Sequence, residues 1–149
     1  MEANVKEYVD YEEKLKIQQE KNKKHMKEFE EYLIAQGLSP KTIRNHMGNV
    51  DTYLDYFLSY YEIHEMKDGC YMINDYLGDF FIRKCMWSTA YTTKQTAASI
   101  KKFYGCMKEL GHISSEAYDF LCRTIKDNME IWIDEVEDYN SFDDDDEYF

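Results

Sequence analysis

The chain has 149 residues, 44% of them hydrophobic and 32% charged, with a formal net charge of −12. That length can bury the core of one small domain, while a single proline and only six glycines leave little room for an architecture of many strands and turns. No apolar run approaches the roughly 20 residues that cross a bilayer, and the acidic start Met1-Glu2-Ala3-Asn4-Val5-Lys6-Glu7 is unlike a signal peptide, so a cytoplasmic protein with no membrane partner is expected.

Apolar residues recur at helical intervals throughout, which makes an all-α fold the expectation. Residues 1–22 read as a helical extension. Tyr8, Tyr11, Leu15, Met26 and Phe29 lie at near-helical spacing among Glu, Lys and Gln, a pattern that either lengthens the first bundle helix or pairs with another chain, a solvated extension being the simpler reading. The main domain is expected over 23–115. Gly37 is placed to end one helix, and Ser39 with Pro40 to cap and open the next. From there Ile43, Met47, Val50, Leu54, Phe57 and Tyr61 form an apolar stripe, and Lys41, Arg44, Asn45, Gly48, Asn49 and Thr52 fall on the opposite arc. A second segment repeats the arrangement, with Ile100, Phe103, Tyr104, Met107 and Leu110 inward and Lys94, Gln95, Ala98, Lys101, Lys102 and Gly105 outward. Both outer faces read as cations and amides without acids.

After Ser114 and Ser115, which can cap a helix, Tyr118, Leu121, Cys122, Ile125, Met129, Trp132 and Val136 trace a further stripe, giving a C-terminal helix over 116–138 of about six turns. It either folds back on the bundle or docks on a partner, since Ile131 and Trp132 would otherwise be exposed. Residues 139–149 have the composition of a disordered acidic tail. Solubility is its simplest role. Two others are open: competition with DNA phosphate for the Lys94/Lys101/Lys102 face, and capture of a partner, because the acidic run ending in Phe149 looks like the tips of bacterial single-stranded-DNA-binding proteins.

The charge is unevenly placed. Residues 21–126 hold fifteen Lys/Arg and thirteen Asp/Glu, whereas 127–149 hold eleven acids and no base. The overall acidity therefore does not exclude a nucleic-acid partner, whose affinity depends on local cations that displace phosphate counterions.

An ordered set of segments resembles the N-terminal core-binding domain of phage integrases and other tyrosine recombinases, the integrase SAM-like domain. The set comprises Phe29-x-x-Tyr32-Leu33, the turn Gly37-Leu38-Ser39-Pro40-x-Thr42, an aromatic helix through Phe57, Ile73-Asn74-Asp75-Tyr76-Leu77 with Phe80-Phe81, and a Ser88-Thr89 start. It closes with Ser99-Ile100-Lys101-Lys102-Phe103-Tyr104 and Leu110-Gly111-His112-Ile113. The resemblance implies a compact four-helix bundle, here with an N-terminal helical extension, an extra C-terminal helix and the acidic tail, that clamps one side of duplex DNA. It makes Lys41, Thr42, Arg44, Asn45, Asn49, Lys94, Gln95, Ser99 and Lys102 candidate contacts, with Lys101 on the same basic face. In that family cleavage belongs to a separate C-terminal domain. Thirty-six residues follow Ile113 and no His-x-x-Arg box is present, so the chain is not expected to cut or join DNA by itself. It would regulate a mobile element, compete with a full-length recombinase, or be left over from a recombinase gene.

No other catalytic pattern stands in the sequence. It has no phosphate-binding Gly-rich loop, no His-Glu-x-x-His helix, no nucleophile elbow and no calcium loop among its aspartates. Cysteines 70, 85, 106 and 122 lack zinc-ligand spacing and read as reduced thiols. No metal or cofactor is expected. The alternative to DNA binding is a protein-interaction or anti-recombinase module in which the bundle and tail hold a protein partner.

Overall fold

A computed structural model describes residues 2–146, and every regular element among them is helical. Helix α1 spans Glu2–Ala35 and α2 Pro40–Asp51, the latter continued by a π-helix, Thr52–Phe57. A 3-10 helix, Met66–Tyr71, leads to one continuous helical stretch made of α3 (Ile73–Asp75), a second π-helix (Tyr76–Phe80) and α4 (Phe81–Lys84). Helices α5 (Ala90–Glu109) and α6 (Ser115–Asp146) complete the chain. None of the helices is long and apolar enough to cross a membrane. Contacts divide the chain into two compact units, Met1–Gly69 and Cys70–Phe149. The boundary falls inside the 23–115 segment expected as one domain.

In the first unit, α1 ends where the sequence places its glycine. Gly37 adopts φ 76°, its N–H donates to the Ile34 carbonyl, and the Leu38 N–H reaches back to Leu33, the paired bonds that satisfy the last carbonyls of a helix. Ser39 then caps α2, its hydroxyl accepting from the Thr42 N–H at 3.2 Å, with Pro40 in the first turn. The core holds Phe29 and Leu33 of α1, Val50 of α2, and Tyr53, Leu54, Phe57 and Leu58, each buried to within a few per cent.

That core differs from the expected stripe. In the first π-helix the Leu58 N–H donates to the Tyr53 carbonyl five residues back, which adds a residue to the turn and rotates the side chains beyond it. Leu58, absent from the expected stripe, thereby joins Leu54 and Phe57 inside; Tyr53, also absent from it, is buried three residues after Val50 on the ordinary helical period, while Tyr61 lies beyond the helix and is 64% exposed. The Tyr53 hydroxyl donates to the Gly69 carbonyl at 2.6 Å, which ties Gly69 of the 3-10 helix to the first π-helix.

The second unit is built on α6. Ser114 caps it by accepting from the Ala117 N–H, and Ala117, Leu121, Trp132 and Val136 are buried while Ile131 is half exposed. The long helix packs along α5 and against α3, α4 and the second π-helix. Buried Trp132 donates its indole N–H to Asn74 Oδ1 at 2.8 Å, and Gly78 leaves the space for the ring, since a Cβ there would come within 3.0 Å of the indole nitrogen. α6 is longer than expected. Val136 is fully buried and Asn140 donates to the Ser88 carbonyl at 2.9 Å, so the helix carries on past residue 138 through Asp146 and takes up most of the stretch expected as a disordered tail. Glu147, Tyr148 and Phe149, which carry the likeness to the single-stranded-DNA-binding tips, lie outside the described residues. Leu110, expected inside, is half exposed because α5 ends at Glu109 and Gly111 turns the chain with φ 80°.

Gly78→Ala is expected to destabilise the fold by about 1–3 kcal/mol through forced repacking of Trp132, and Trp132→Ala by about 3–5 kcal/mol through the void it leaves. Urea denaturation monitored by circular dichroism checks both; a Gly78→Ala variant as stable as wild type would show that the indole can move aside without loss.

Candidate nucleic-acid interface

The two basic faces expected from sequence, on α2 and on α5, lie on different units. On α2, Lys41, Arg44 and Asn45 are exposed and Thr42 and Asn49 half-buried. Thr42 is engaged locally: its hydroxyl accepts from Ser39 Oγ at 2.9 Å while its N–H donates to the same oxygen. Its first role is therefore to start the helix. Gly48 faces open space, and the Thr52 hydroxyl turns back to the Gly48 carbonyl, so neither adds a polar head to the face.

This face is not free of acids. Gly48 lines a groove of about 430 Å³ together with Lys23, Met26, Lys27 and Glu30 of α1 and Met47, Asp51 and Asp55. Asp51 and Asp55 are one turn apart, and Asn22, almost fully buried, donates to Asp55 Oδ1 at 2.8 Å while accepting from Gln18 at 3.0 Å. Partial burial in the groove, then the negative charge and hydrogen bond of Asp55, hold the Asp51 carboxyl above the usual carboxylate range. The cations of α2 thus occupy its N-terminal two turns and give way to carboxylates at its end. Projecting residues 41–52 alone missed this, because Asp51 lies on the flank of the arc and Asp55 beyond it.

On α5 the face is purer. From Ala90 to Lys108 the helix carries four lysines and no acid. Thr89 and Thr92 cap it reciprocally, and Lys94, Gln95, Ala98 and Lys101 are exposed, with Lys102 half-buried. Gln95 donates to the Tyr91 hydroxyl at 2.7 Å, which holds its amide against the helix. Ser99 is a correction: at 1% exposure its hydroxyl lies in the interior and cannot meet a phosphate, because position 99 falls between the basic arc and the buried Ile100 and Phe103. Gly105 is another. It lies under the Tyr118 ring of α6, over which Lys108 Nζ sits 4.9 Å from the centroid, so the open part of the face ends near Lys102.

Beside the start of α5, Met86 is fully exposed, Trp87 54% and Tyr91 69% exposed. Sequence spacing gave no sign of Met86 and Trp87, which lie in a loop where helical periodicity does not apply, whereas Tyr91 stands in the first turn of α5. The thiols of Cys70, Cys85 and Cys106 are buried and Cys122 half-buried; burial pushes the Cys85 thiol up, partly offset by a hydrogen bond with Tyr76. These groups offer no exposed nucleophile on either basic face.

Compared with protein-family models, curated proteins and solved structures, the chain matches none.

The raised Asp51 carboxyl has a defined sign. A folded state that holds the proton more tightly than the unfolded chain is favoured at low pH, and loses that advantage as pH rises from the ordinary aspartate value through the raised one. Asp51→Asn should therefore be slightly more stable than wild type at neutral pH, with the difference vanishing below the ordinary value; the gain is small because the residue is largely exposed and solvent screens it. Thermal melts of both proteins across the acid range read this directly.

Proposed function

We propose that this chain is a non-catalytic protein of the core-binding type that binds duplex DNA through helix faces. One observation carries the reading: α5 presents Lys94, Lys101 and Lys102 with Gln95 on a face without a carboxylate, in a chain whose net charge is −12. A run of cations maintained against the overall sign of the molecule is what phosphate contact requires. Lys41, Arg44 and Asn45 at the start of α2 offer a second set of donors. Lysines there would neutralise phosphates and set position, while Arg44 and the amides of Asn45 and Asn49 are the groups able to read base edges. The ordered resemblance to the integrase core-binding domain supports the same assignment, with a cytoplasmic role in regulating or competing with a recombinase, and without cleavage chemistry in the chain itself.

A second reading is favoured by the exposed Met86, Trp87 and Tyr91. Large apolar side chains grouped on a surface are typical anchors of protein contacts, and a protein-interaction or anti-recombinase module would use them.

Fluorescence anisotropy of labelled duplex DNA distinguishes the two. The full chain is expected to bind with an affinity that falls steeply with salt, and Lys94→Glu, Lys101→Glu and Lys102→Glu together should abolish binding without loss of helicity. Lys41→Ala should weaken binding to all sequences alike and reduce the salt slope by about 1. Replacing Asp143, Asp144, Asp145 and Asp146 by Asn should tighten binding if the acidic end competes with phosphate. Unaltered binding by the triple variant removes α5 from the interface, and absence of binding by the full chain at low salt leaves the protein-interaction reading.

A further inference from the structure

The charges of α1 are sorted along its axis. Residues 7–13 hold four acids, Glu7, Asp10, Glu12 and Glu13, and no base, whereas residues 14–27 hold six lysines and a single acid, Glu20. The same helix leaves apolar side chains in water. From the N-terminus the first buried residue among those described is Gln18, and ahead of it Val5, Tyr8, Val9, Tyr11 and Ile17 are between 41% and 64% exposed. Advancing about 100° per residue, Val5, Tyr8, Val9, Glu12 and Leu15 share an arc of about 120°, and Lys16, Gln19 and Lys23 continue it. Of the four acids only Glu12 lies on this arc, beside Val5, Tyr8 and Val9, while Lys16 and Lys23 lie on it further along.

A second copy of this chain fits that surface in one direction. Laid parallel, two α1 helices would set acids beside acids and lysines beside lysines. Laid antiparallel, Glu12 of each copy comes beside Lys16 of the other, twice by symmetry, and the acid-rich and lysine-rich halves of the two helices are opposed along their length, a preference to which the opposed helix dipoles add. Val5, Tyr8 and Val9 of one copy then lie against the lysine stems and Gln19 of the other, and long lysine side chains cover apolar surface while keeping their ammonium groups in water. Lys23 is paired with Glu20 at 3.2 Å, but both side chains are over 70% exposed, so the pair is weak enough to exchange.

We infer that α1 is a self-association helix through which two copies of the chain pair antiparallel, with the two-fold axis close to Leu15. The inference rests on α1 alone and stands or falls separately from DNA binding.

Sedimentation velocity of the full chain at low and high salt tests it. A dimer at low salt that dissociates as salt rises is expected, and Glu7→Lys, Asp10→Lys, Glu12→Lys and Glu13→Lys together should yield a monomer of unchanged helicity. Orientation is read by oxidative cross-linking, with the wild-type chain as control for its native thiols. Leu15→Cys should link, because the two positions adjoin at the axis; Val5→Cys should not, because ten residues on each side of the axis separate the pair by about 30 Å. A wild-type chain that stays monomeric at low salt overturns the proposal, as does Val5→Cys linking as readily as Leu15→Cys.

Discussion

Five of the buried aromatics, Tyr53 and Phe57 in the first unit and Tyr76, Phe80 and Phe81 in the second, are grouped at helical turns opened by one residue. Tyr53, Leu54, Phe57 and Leu58 in the first unit, and Tyr76, Leu77, Phe80 and Phe81 in the second, are all essentially inaccessible to solvent, and each set sits on a π-helix closed by an N–H bonded five residues back. On an ordinary α-helix four residues at these spacings spread over an arc of about 140°. The longer turn stacks the two pairs above one another, so that Tyr53 and Phe57 lie nearly parallel at 5.5 Å and Tyr76 meets both Phe80 and Phe81 within about 6 Å. The less favourable hydrogen-bond geometry of such turns is offset by full burial of side chains that each remove a large apolar area from water.

Surface chemistry is sorted in a comparable way. Cations and amides gather on the first turns of α2 and the middle of α5, while carboxylates gather at the end of α2, the start of α1 and the end of α6. A molecule with this distribution has a local field quite unlike its total charge. Long-range attraction toward a polyanion is weak, and contact depends on short-range approach of the basic faces within a Debye length of about 8–10 Å.

How far the sequence shows this depends on whether a residue obeys a 3.6-residue period. The all-α class, the cap at Ser39 with Pro40, the turn at Gly37 and the interior row Ile100, Phe103, Tyr104 and Met107 follow from spacing and local stereochemistry. Leu58 and Tyr61 could not be placed that way, because nothing local marks an inserted residue in the hydrogen-bond ladder. At the basic faces, Lys41, Arg44, Lys94 and Lys101 are legible as exposed, and the helical position of Ser99 sets it beside the buried Ile100 and Phe103, whereas Gly105 depends on how α6 approaches. The groove around Asp51 and Asp55, and the Met86-Trp87 loop, are likewise tertiary features. A division into units at Gly69 leaves no compositional trace.

The bond from Asn140 to the Ser88 carbonyl ties the far end of α6 to the loop that precedes α5, across 52 positions of sequence. Ser88 is nearly buried, so its carbonyl has little access to replacement water once the amide withdraws. Fraying of the last turns of α6 and loosening of residues 85–89 are therefore one event and not two. Amide hydrogen exchange should accordingly show the two segments opening together, which couples the exposed Trp87 to a helix that starts nearly thirty residues after it.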